Sequence, residues 1–214
     1  MGGRCVAGAV FAAVLFVGSQ ARADGLSPTE ASRLMLGSTV ARTQVFERAG
    51  RRYVGGVTYS VFDAQADELV ALLDDVNGWR RILPKTRGVR RVGSGSSAGD
   101  FLLEVTHGSA IVQVTYTLRV HREGNVVRFW MDPARPHDIE DAWGFFRSDP
   151  LDGGRTLVTY GILIDMGDGL LRNLFEDRVR SLALTVPDRV RGLLLQRRTT
   201  AYEDPLVTEG PARY

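Results

Sequence analysis

A β-strand followed at once by two short helices is predicted by residues 51–84, RRYVGGVTYSVFDAQADELVALLDDVNGWRRILP. The first part of this stretch is rich in β-branched and aromatic residues, which favour strands. Asp63 can then cap a helix, because the apolar side chains that follow it recur at helical spacing. We expect Asn77-Gly78 to interrupt this helix, and Trp79 to open a second one that Pro84 ends.

An antiparallel sheet is predicted by the alternation of apolar and polar side chains after this stretch. Residues 111–121 place their apolar side chains on a single face, namely Val112, Val114, Tyr116, Leu118 and Val120. Polar side chains occupy the opposite face, so the sheet should have one dry side and one solvated side. Further strands are predicted at residues 86–92, 101–107, 126–131, 139–146 and 156–164, separated by glycine-rich turns and, before residue 139, by a loop with Pro133 and Pro136.

The last long element is an amphipathic helix predicted from Gly169 to Arg198, with a kink near Pro187. Its apolar stripe recurs at spacings of three and four residues and comprises Leu171, Leu174, Phe175, Val179, Leu182, Val186 and Val190. The dry face of a curved sheet must be buried against another layer, and this helix is the element long enough to cover it. A sheet wrapped around a helix leaves a concave space, which is a suitable site for a ligand.

This order of elements resembles the START, polyketide-cyclase and birch-pollen-allergen superfamily (SRPBCC), and within it START domains like those of coenzyme-Q-binding proteins. The resemblance is carried by the order and spacing of VFDA (61–64) through LLDD (72–75), WRRILP (79–84), DAWGFF (141–146), TLVTY (156–160) and VPDRV (186–190). It implies an α+β helix-grip fold, in which a curved antiparallel β-sheet wraps around a long C-terminal α-helix and two short helices follow the first strand. It also implies that the protein binds a hydrophobic molecule such as a lipid, sterol, quinone or polyketide, although a minority of the superfamily are enzymes.

We expect four segments: a signal peptide (1–23), an N-terminal helix and connector (24–50), a START/SRPBCC-like ligand-binding domain (51–198) and a flexible tail (199–214). Ser27-Pro28-Thr29-Glu30 predicts the start of the N-terminal helix, with Ser27 as the N-cap and Glu30 completing a capping box. Residues 38–50 should form a connector or an added edge strand. The tail has two prolines and no periodicity, so we expect it to be frayed.

The signal peptide is predicted from three features of the first 23 residues. Arg4 precedes an apolar run from Val6 to Val17, and Ala21-Arg22-Ala23 supplies the small-x-small pattern of a cleavage site. The run is shorter than the ~20 apolar residues that span a bilayer, although an uncleaved anchor is the alternative interpretation. We therefore expect cleavage between Ala23 and Asp24 and a protein that is periplasmic or secreted.

Charge and cysteine content exclude several classes of partner and site. The chain has 27 basic and 25 acidic side chains, and loss of Arg4 and Arg22 with the signal peptide would leave the mature chain neutral. We therefore expect no nucleic-acid partner. Cys5 is the only cysteine and lies before the predicted cleavage site, so the mature protein has no disulfide, thiol nucleophile or cysteine-ligated zinc.

Neither a metal nor another cofactor is expected from the sequence motifs. The densest group of metal-ligating residue types is HDIED at residues 137–141, but strand alternation would divide these side chains between two faces. Gly93-Ser94-Gly95 lacks the Gly-Lys-Ser/Thr of a phosphate-binding loop. Gly95-Ser96-Ser97-Ala98-Gly99 has the spacing Gly-x-Ser-x-Gly, but it lies in a turn between two predicted strands, whereas a nucleophile elbow joins a strand to a helix, so no catalytic motif is assigned.

Candidate ligand-binding residues come from the dry face of the sheet, the second short helix and the terminal helix. His107 ends the apolar face of its strand, where it could bind a head group, act as an acid or base, or simply contact water. Tyr116 and Tyr160 are predicted either as pocket or as core residues, and Trp79 either packs the short helices or gates the mouth. The full candidate set is Trp79, Leu103, Val105, His107, Val114, Tyr116, Leu118, Trp143, Tyr160, Ile162, Phe175, Val179, Leu182 and Val186.

The sequence favours an exported, cofactor-free carrier that binds a lipid, sterol or quinone between the sheet and the terminal helix. Its affinity would come from burial of apolar surface, at about 25 cal/mol per Å². Arg80 and Arg81 beside Trp79 are also suited to transient contact with lipid phosphates. Two alternatives stay open: a cyclase, aromatase or hydrolase-like enzyme that uses the histidine and tyrosines of the candidate set as acid–base groups, or an accessory scaffold with a filled core.

Overall fold

An eight-stranded antiparallel sheet forms the frame of this protein. The computed structural model describes residues 25–95, 99–108 and 112–203, without the side chains of residues 170, 171, 173–175 and 199–203. The strands are β1 (Val40–Arg48), β2 (Arg51–Phe62), β3 (Thr86–Ser94), β4 (Phe101–Gly108), β5 (Gln113–Glu123), β6 (Val126–Met131), β7 (Asp141–Leu151) and β8 (Arg155–Asp165). They lie in the order β1-β2-β8-β7-β6-β5-β4-β3.

Helices cover the concave face of this sheet and one of its edges. They are α1 (Pro28–Met35), α2 (Ala66–Asp74), α3 (Val76–Ile82), α4 (Leu170–Ala183) and α5 (Val186–Glu203). A short helix pair follows β2, and a long bent helical segment follows β8. The expected α+β helix-grip architecture is therefore confirmed. In the described residues, no helix is both long enough and apolar enough to cross a membrane.

The N-terminal segment adds a helix and an edge strand to the sheet. The Glu30 backbone N–H donates to Ser27 Oγ at 3.2 Å, and the Ser27 backbone N–H donates to the Glu30 carboxylate at 2.7 Å. This pair confirms the predicted capping box at the start of α1. Residues 38–50 supply β1, which pairs with β2. The strand that was predicted as the first one is therefore the second along the chain. The predicted signal peptide (1–23) lies outside the described residues.

Gly55-Gly56 lets the neighbouring strands approach β2 closely. Both glycines have large positive φ values, of +155° and +152°. A Cβ atom at Gly55 would lie 1.9 Å from the carbonyl oxygen of Ile162 on β8, and one at Gly56 would lie 2.0 Å from that of Arg42 on β1. Glycine at both positions is therefore required for close pairing of the backbones at this point of the sheet.

The two short helices begin at residues other than those predicted. Asp63 is exposed and does not cap α2, which starts at Ala66 after Gln65. The break between the helices lies at Asp75, whose carboxylate accepts the Asn77 backbone N–H at 2.9 Å, so Asn77-Gly78 belongs to α3. The prediction failed because the Asp75 carboxylate, two residues before Asn77, caps a new helix and outweighs the helix-breaking tendency of this dipeptide.

The terminal helix is divided before Pro187 and not at it. The break lies at Leu184–Thr185, where the Thr185 hydroxyl donates to the Leu182 carbonyl oxygen at 2.7 Å. Pro187 occupies the first turn of α5, where the missing N–H costs no hydrogen bond. The helix then continues to Glu203, beyond the predicted end at Arg198, and the rest of the tail (204–214) lies outside the described residues.

The main hydrophobic core lies where α2, α3 and α5 pack on the sheet. Leu72, Trp79, Leu103 and Val190 are completely buried there, together with Phe62, Phe146 and other side chains of the same cluster. A second, smaller cluster joins α1 to β1 and β2 through Leu34 and Val40. The first cluster holds the helices against the sheet, and the second attaches the N-terminal segment.

Replacement of Gly55 by alanine is expected to destabilise the fold by about 2 kcal/mol or more, because the new methyl group must displace a paired backbone carbonyl. Urea denaturation of the purified variant measures the change. Gly192→Ala in α5 is the matched control, since no atom lies within 4 Å of the added Cβ. The free energy of unfolding of Gly192→Ala should rise by about 0.5–1 kcal/mol. Equal stability of the two variants would contradict the requirement for glycine at position 55.

Candidate functional site

A cavity of about 500 Å³ lies between the concave face of the sheet and α4. Strands β4 to β8 form its floor, the connection from α3 to β3 forms one wall, and the end of α4 covers it. Its lining is mostly aliphatic and aromatic, as in sites that bind apolar small molecules. The polar side chains that interrupt this surface are Lys85, His107, Tyr116, Tyr160 and Arg178.

Most of the candidate ligand-binding residues line this one cavity. The structure places there Trp79, His107, Val114, Tyr116, Leu118, Tyr160, Ile162, Val179, Leu182 and Val186. Phe175 is one of the residues whose side chains the structure does not describe, so its place in the cavity wall stays a prediction. The strand alternation and the helical stripe had therefore selected side chains that face a common space.

Three candidates lie elsewhere and are corrected. Leu103 and Val105 share the strand face of His107, but both are fully buried in the main core cluster and do not line the cavity. Trp143 is 36% exposed, because Ala142 before it takes the cavity-facing position on β7. Alternation cannot distinguish a position under packed helices from one under open space, and Trp143 was assigned to the wrong face of β7.

Several residues of the cavity wall were not among the candidates. Phe129 and Ile164 lie on strand positions that the same alternation would have found. The alternation had also placed Val112 on the apolar face, although it was not among the candidates. The remaining wall residues are Gly108 and Ala142 at the ends of β4 and β7, Arg178 and Ala183 on α4, and Leu83, Pro84, Lys85, Ile139 and Met166 in connections that carry no periodic signal. Sequence patterns find residues on regular elements, and the irregular parts of the wall become visible when the elements are assembled.

His107 and Tyr116 form a hydrogen-bonded pair across β4 and β5. His107 Nδ1 lies 2.9 Å from the Pro84 carbonyl oxygen, and His107 Nε2 lies 2.8 Å from the Tyr116 hydroxyl oxygen. The two rings stack with centroids 5.6 Å apart and an interplanar angle of 27°. The pair therefore joins the end of the second short helix to the floor of the cavity.

The partners of His107 determine which way the protons of this pair point. A carbonyl oxygen can only accept, so Nδ1 must carry the proton that is donated to Pro84. Burial lowers the pKa of His107 below its ordinary value, which favours the neutral ring. Nε2 of a neutral ring protonated at Nδ1 is an acceptor, and the Tyr116 hydroxyl donates to it. Burial raises the pKa of Tyr116, so the hydroxyl keeps its proton.

Tyr160 is the second hydroxyl of the cavity wall. Its ring is almost completely buried and packs against Phe146 with centroids 4.6 Å apart. Burial raises the pKa of Tyr160, and the nearby Tyr116 raises it further, so this hydroxyl is neutral at physiological pH. Within the part of the chain that the structure describes, it forms no hydrogen bond with another protein group. It is therefore available to a molecule in the cavity.

Two cations line the cavity, one on the connection from α3 to β3 and one on α4. Lys85 follows α3 with a positive φ of 54°, and its carbonyl oxygen accepts the Gly108 backbone N–H at 3.0 Å. Arg178 is an exposed residue of α4. Neither forms an ion pair with a carboxylate of the described residues. Lys85 and Arg178 are therefore the charged side chains of the cavity wall.

The remaining histidines have local partners. His121 Nδ1 lies 2.7 Å from an Asp100 carboxylate oxygen, and His137 Nδ1 lies 2.7 Å from the Ile139 carbonyl oxygen. Across residues 25–95, 99–108 and 112–203, no three His, Cys, Asp or Glu side chains are grouped so that they could hold a metal ion.

The free energy of unfolding should fall as the pH is lowered below about 6.5, the ordinary pKa of histidine. Unfolded His107 takes up a proton in that range, whereas folded His107, with its lowered pKa, does not; the loss ends below the folded pKa. Urea unfolding at several pH values from 7.5 to 5 measures this slope for the wild type and for His107→Gln. The variant lacks the His107 contribution, so parallel curves for the two proteins would contradict the assignment.

No protein-family model matches the sequence, and no curated protein matches it in sequence. In structure, the chain is similar to a STAR-related lipid transfer protein from Xanthomonas axonopodis, with a TM-score of 0.56 and 18% identity over 75% of this chain and 99% of that one. It is also similar to a START superfamily protein from Mycobacterium smegmatis, with a TM-score of 0.53 and 12% identity over 68% and 97% of the two chains. Human STARD10 gives a TM-score of 0.51 and 10% identity over 84% of each chain.

At these identities the similarity concerns the fold. The matches extend over nearly the whole length of the two bacterial proteins and over 75% and 68% of this chain. They agree with the element order expected from the sequence, in which a short helix pair follows an early strand and a long bent helix ends the domain. The chain therefore shares the fold of these structures, and its own architecture is the helix-grip fold.

Proposed function

We propose that this protein is an exported carrier that binds a lipid or another hydrophobic small molecule in the cavity between the sheet and α4. The observation that carries the proposal is the apolar cavity of about 500 Å³, whose volume lies within the range of small-molecule sites. Burial of an apolar ligand there contributes about 25 cal/mol per Å² of surface removed from water. No cofactor is needed for such binding.

The fold supports the proposal, since two of the structurally similar proteins carry lipid transfer or START in their names. Export rests on the N-terminal sequence pattern, with its apolar run and its Ala21-Arg22-Ala23 site. Transient contact with a membrane is part of the same proposal. Arg80 and Arg81 are exposed on α3, next to the cavity residues Trp79 and Leu83, where they are suited to lipid phosphates.

The two alternative functions receive less support from the site. A scaffold should have a filled core, whereas the space between the sheet and α4 is open. An acid–base enzyme needs groups that exchange protons near neutral pH. Here the pKa of Tyr116 is raised and that of His107 is lowered, so both groups hold their neutral forms. This arrangement is suited to a fixed hydrogen-bond pattern and less to proton transfer.

Ala183→Trp tests the cavity directly. The larger side chain projects from the end of α4 into the cavity, so the affinity for the apolar fluorescent probe N-phenyl-1-naphthylamine should fall about tenfold or more. A fluorescence titration of protein purified without detergent measures the change. The matched control is Ala71→Trp at an exposed position of α2, which should bind like the wild type. A wild-type protein that binds no probe would refute the carrier function.

The mature chain is expected to begin at Asp24. Intact mass of the protein recovered from the periplasm of a Gram-negative host measures the processed end. Ala23→Arg should block cleavage because the site requires a small residue, whereas Ala12→Val within the apolar run should be processed normally. Full-length wild-type protein retained inside the cell would overturn the proposed export and leave the binding proposal intact.

A further inference from the structure

The proton of the Tyr116 hydroxyl is already used within the protein. His107 Nδ1–H is donated to the Pro84 carbonyl oxygen at 2.9 Å, and this leaves Nε2 as an acceptor 2.8 Å from the Tyr116 oxygen. A phenolic hydroxyl has one proton, and here it is donated to Nε2. Toward the cavity, Tyr116 therefore presents oxygen lone pairs and no donor.

From this direction of the hydrogen bonds, we infer that the cavity selects apolar ligands that carry a hydroxyl group, such as alcohols and phenols, over the corresponding ketones and carboxylates. The ligand hydroxyl donates to the Tyr116 oxygen. This inference rests on the proposed function, because it names the chemical class that the carrier would bind.

The selectivity follows from the cost of a mismatched polar pair in an apolar space. A ligand ketone or ether oxygen placed against Tyr116 would set lone pairs against lone pairs, and neither group could donate. A buried polar group without a partner costs about 1–3 kcal/mol, which is why sites built to pair a hydroxyl reject analogues that lack it. A ketone that accepts from another group of the cavity wall would still leave the lone pairs of Tyr116 without a donor.

Tyr160 complements this acceptor. Its hydroxyl lines the same cavity, forms no hydrogen bond to the protein within the described residues, and keeps its own proton. A hydroxyl group on a ligand can donate to Tyr116 and has lone pairs that can accept from a donor such as Tyr160. A ketone could use Tyr160 but not Tyr116, whereas an alcohol can use both.

Lys85 and Arg178 in the cavity wall suggest a competing class of ligand, the fatty carboxylates. Lys85 and Arg178 are both exposed, so their charges are already solvated and a carboxylate would gain little from them. The His107–Tyr116 pair is largely buried and held by two hydrogen bonds, so its polarity cannot be reversed by rotation into water. The fixed pair therefore favours the hydroxyl class.

The test compares 2-dodecanol, 2-dodecanone and dodecanoate as competitors that displace N-phenyl-1-naphthylamine from the full mature protein. We expect the alcohol to bind about tenfold more tightly than the ketone, as one lost buried hydrogen bond predicts. Tyr116→Phe removes the acceptor and should bring this ratio close to one. Tyr59→Phe is the matched control, because Tyr59 lies in the cluster beside α1, outside the cavity, and its variant should keep the wild-type ratio.

His107 is a positioning residue in this scheme, and its variant gives a second readout. His107→Phe removes the acceptor at Nε2 and frees the Tyr116 proton, so the preference should shift from the alcohol toward the ketone. A purely structural role of His107 would weaken both ligands equally. If this variant does not fold, Tyr116→Phe still decides the question, because it changes one hydroxyl group.

The remaining outcomes separate this inference from the proposed function. Three results would overturn the selectivity for hydroxyl groups and leave the carrier function standing. They are equal displacement of the probe by alcohol and ketone, an unchanged ratio of the alcohol and ketone affinities in Tyr116→Phe, and tightest binding of dodecanoate. A wild-type protein that binds neither the probe nor any of the three competitors would overturn both.

Discussion

Trp79 joins the two short helices, the sheet and the cavity wall. Its indole is completely buried, and Nε1 donates to the Leu73 carbonyl oxygen at 2.6 Å, so the end of α2 is tied to the middle of α3. The same ring meets Phe129 and Phe146 edge to face, with centroids 5.7 and 6.3 Å away on β6 and β7. Because the helix pair is held at one end of the concave face, the other end stays open as the cavity.

The cover of that cavity is positioned by arginine. Arg52 of β2 forms a two-pronged pair with Glu176 of α4, at 3.1 and 2.9 Å, and Arg198 of α5 pairs with Glu68 of α2 at 2.7 Å. The hydrogen bonds from these arginines lower the pKa values of both glutamates. The planar guanidinium fork specifies the orientation of each contact, as a lysine would not. Each half of the bent terminal helix thus has its own attachment, on either side of the break at Leu184–Thr185.

Local patterns predicted the parts of this structure that neighbouring residues determine. The capping box of Ser27 and Glu30 needs residues three apart, and the alternation in β5 needs residues two apart, so both could be found from the sequence. The break between α2 and α3 was misplaced because Asp75 competes locally with a helix-breaking dipeptide. Leu103 and His107 share one strand face, yet helices cover the first and not the second. That difference depends on contacts with residues far away in the chain.

The sequence by itself determined the order of the elements, the dry face of the sheet and most of the side chains that face the ligand space, because hydrophobic periodicity selects which face is buried. Only the tertiary structure decided where that space stays open and what its polar groups present. The direction of the Tyr116 hydrogen bond depends on the Pro84 carbonyl oxygen, which reaches His107 from 23 residues away. A carbonyl group is common to every residue, so no pattern of side chains could have marked it; its position arises when α3 and β4 are brought together.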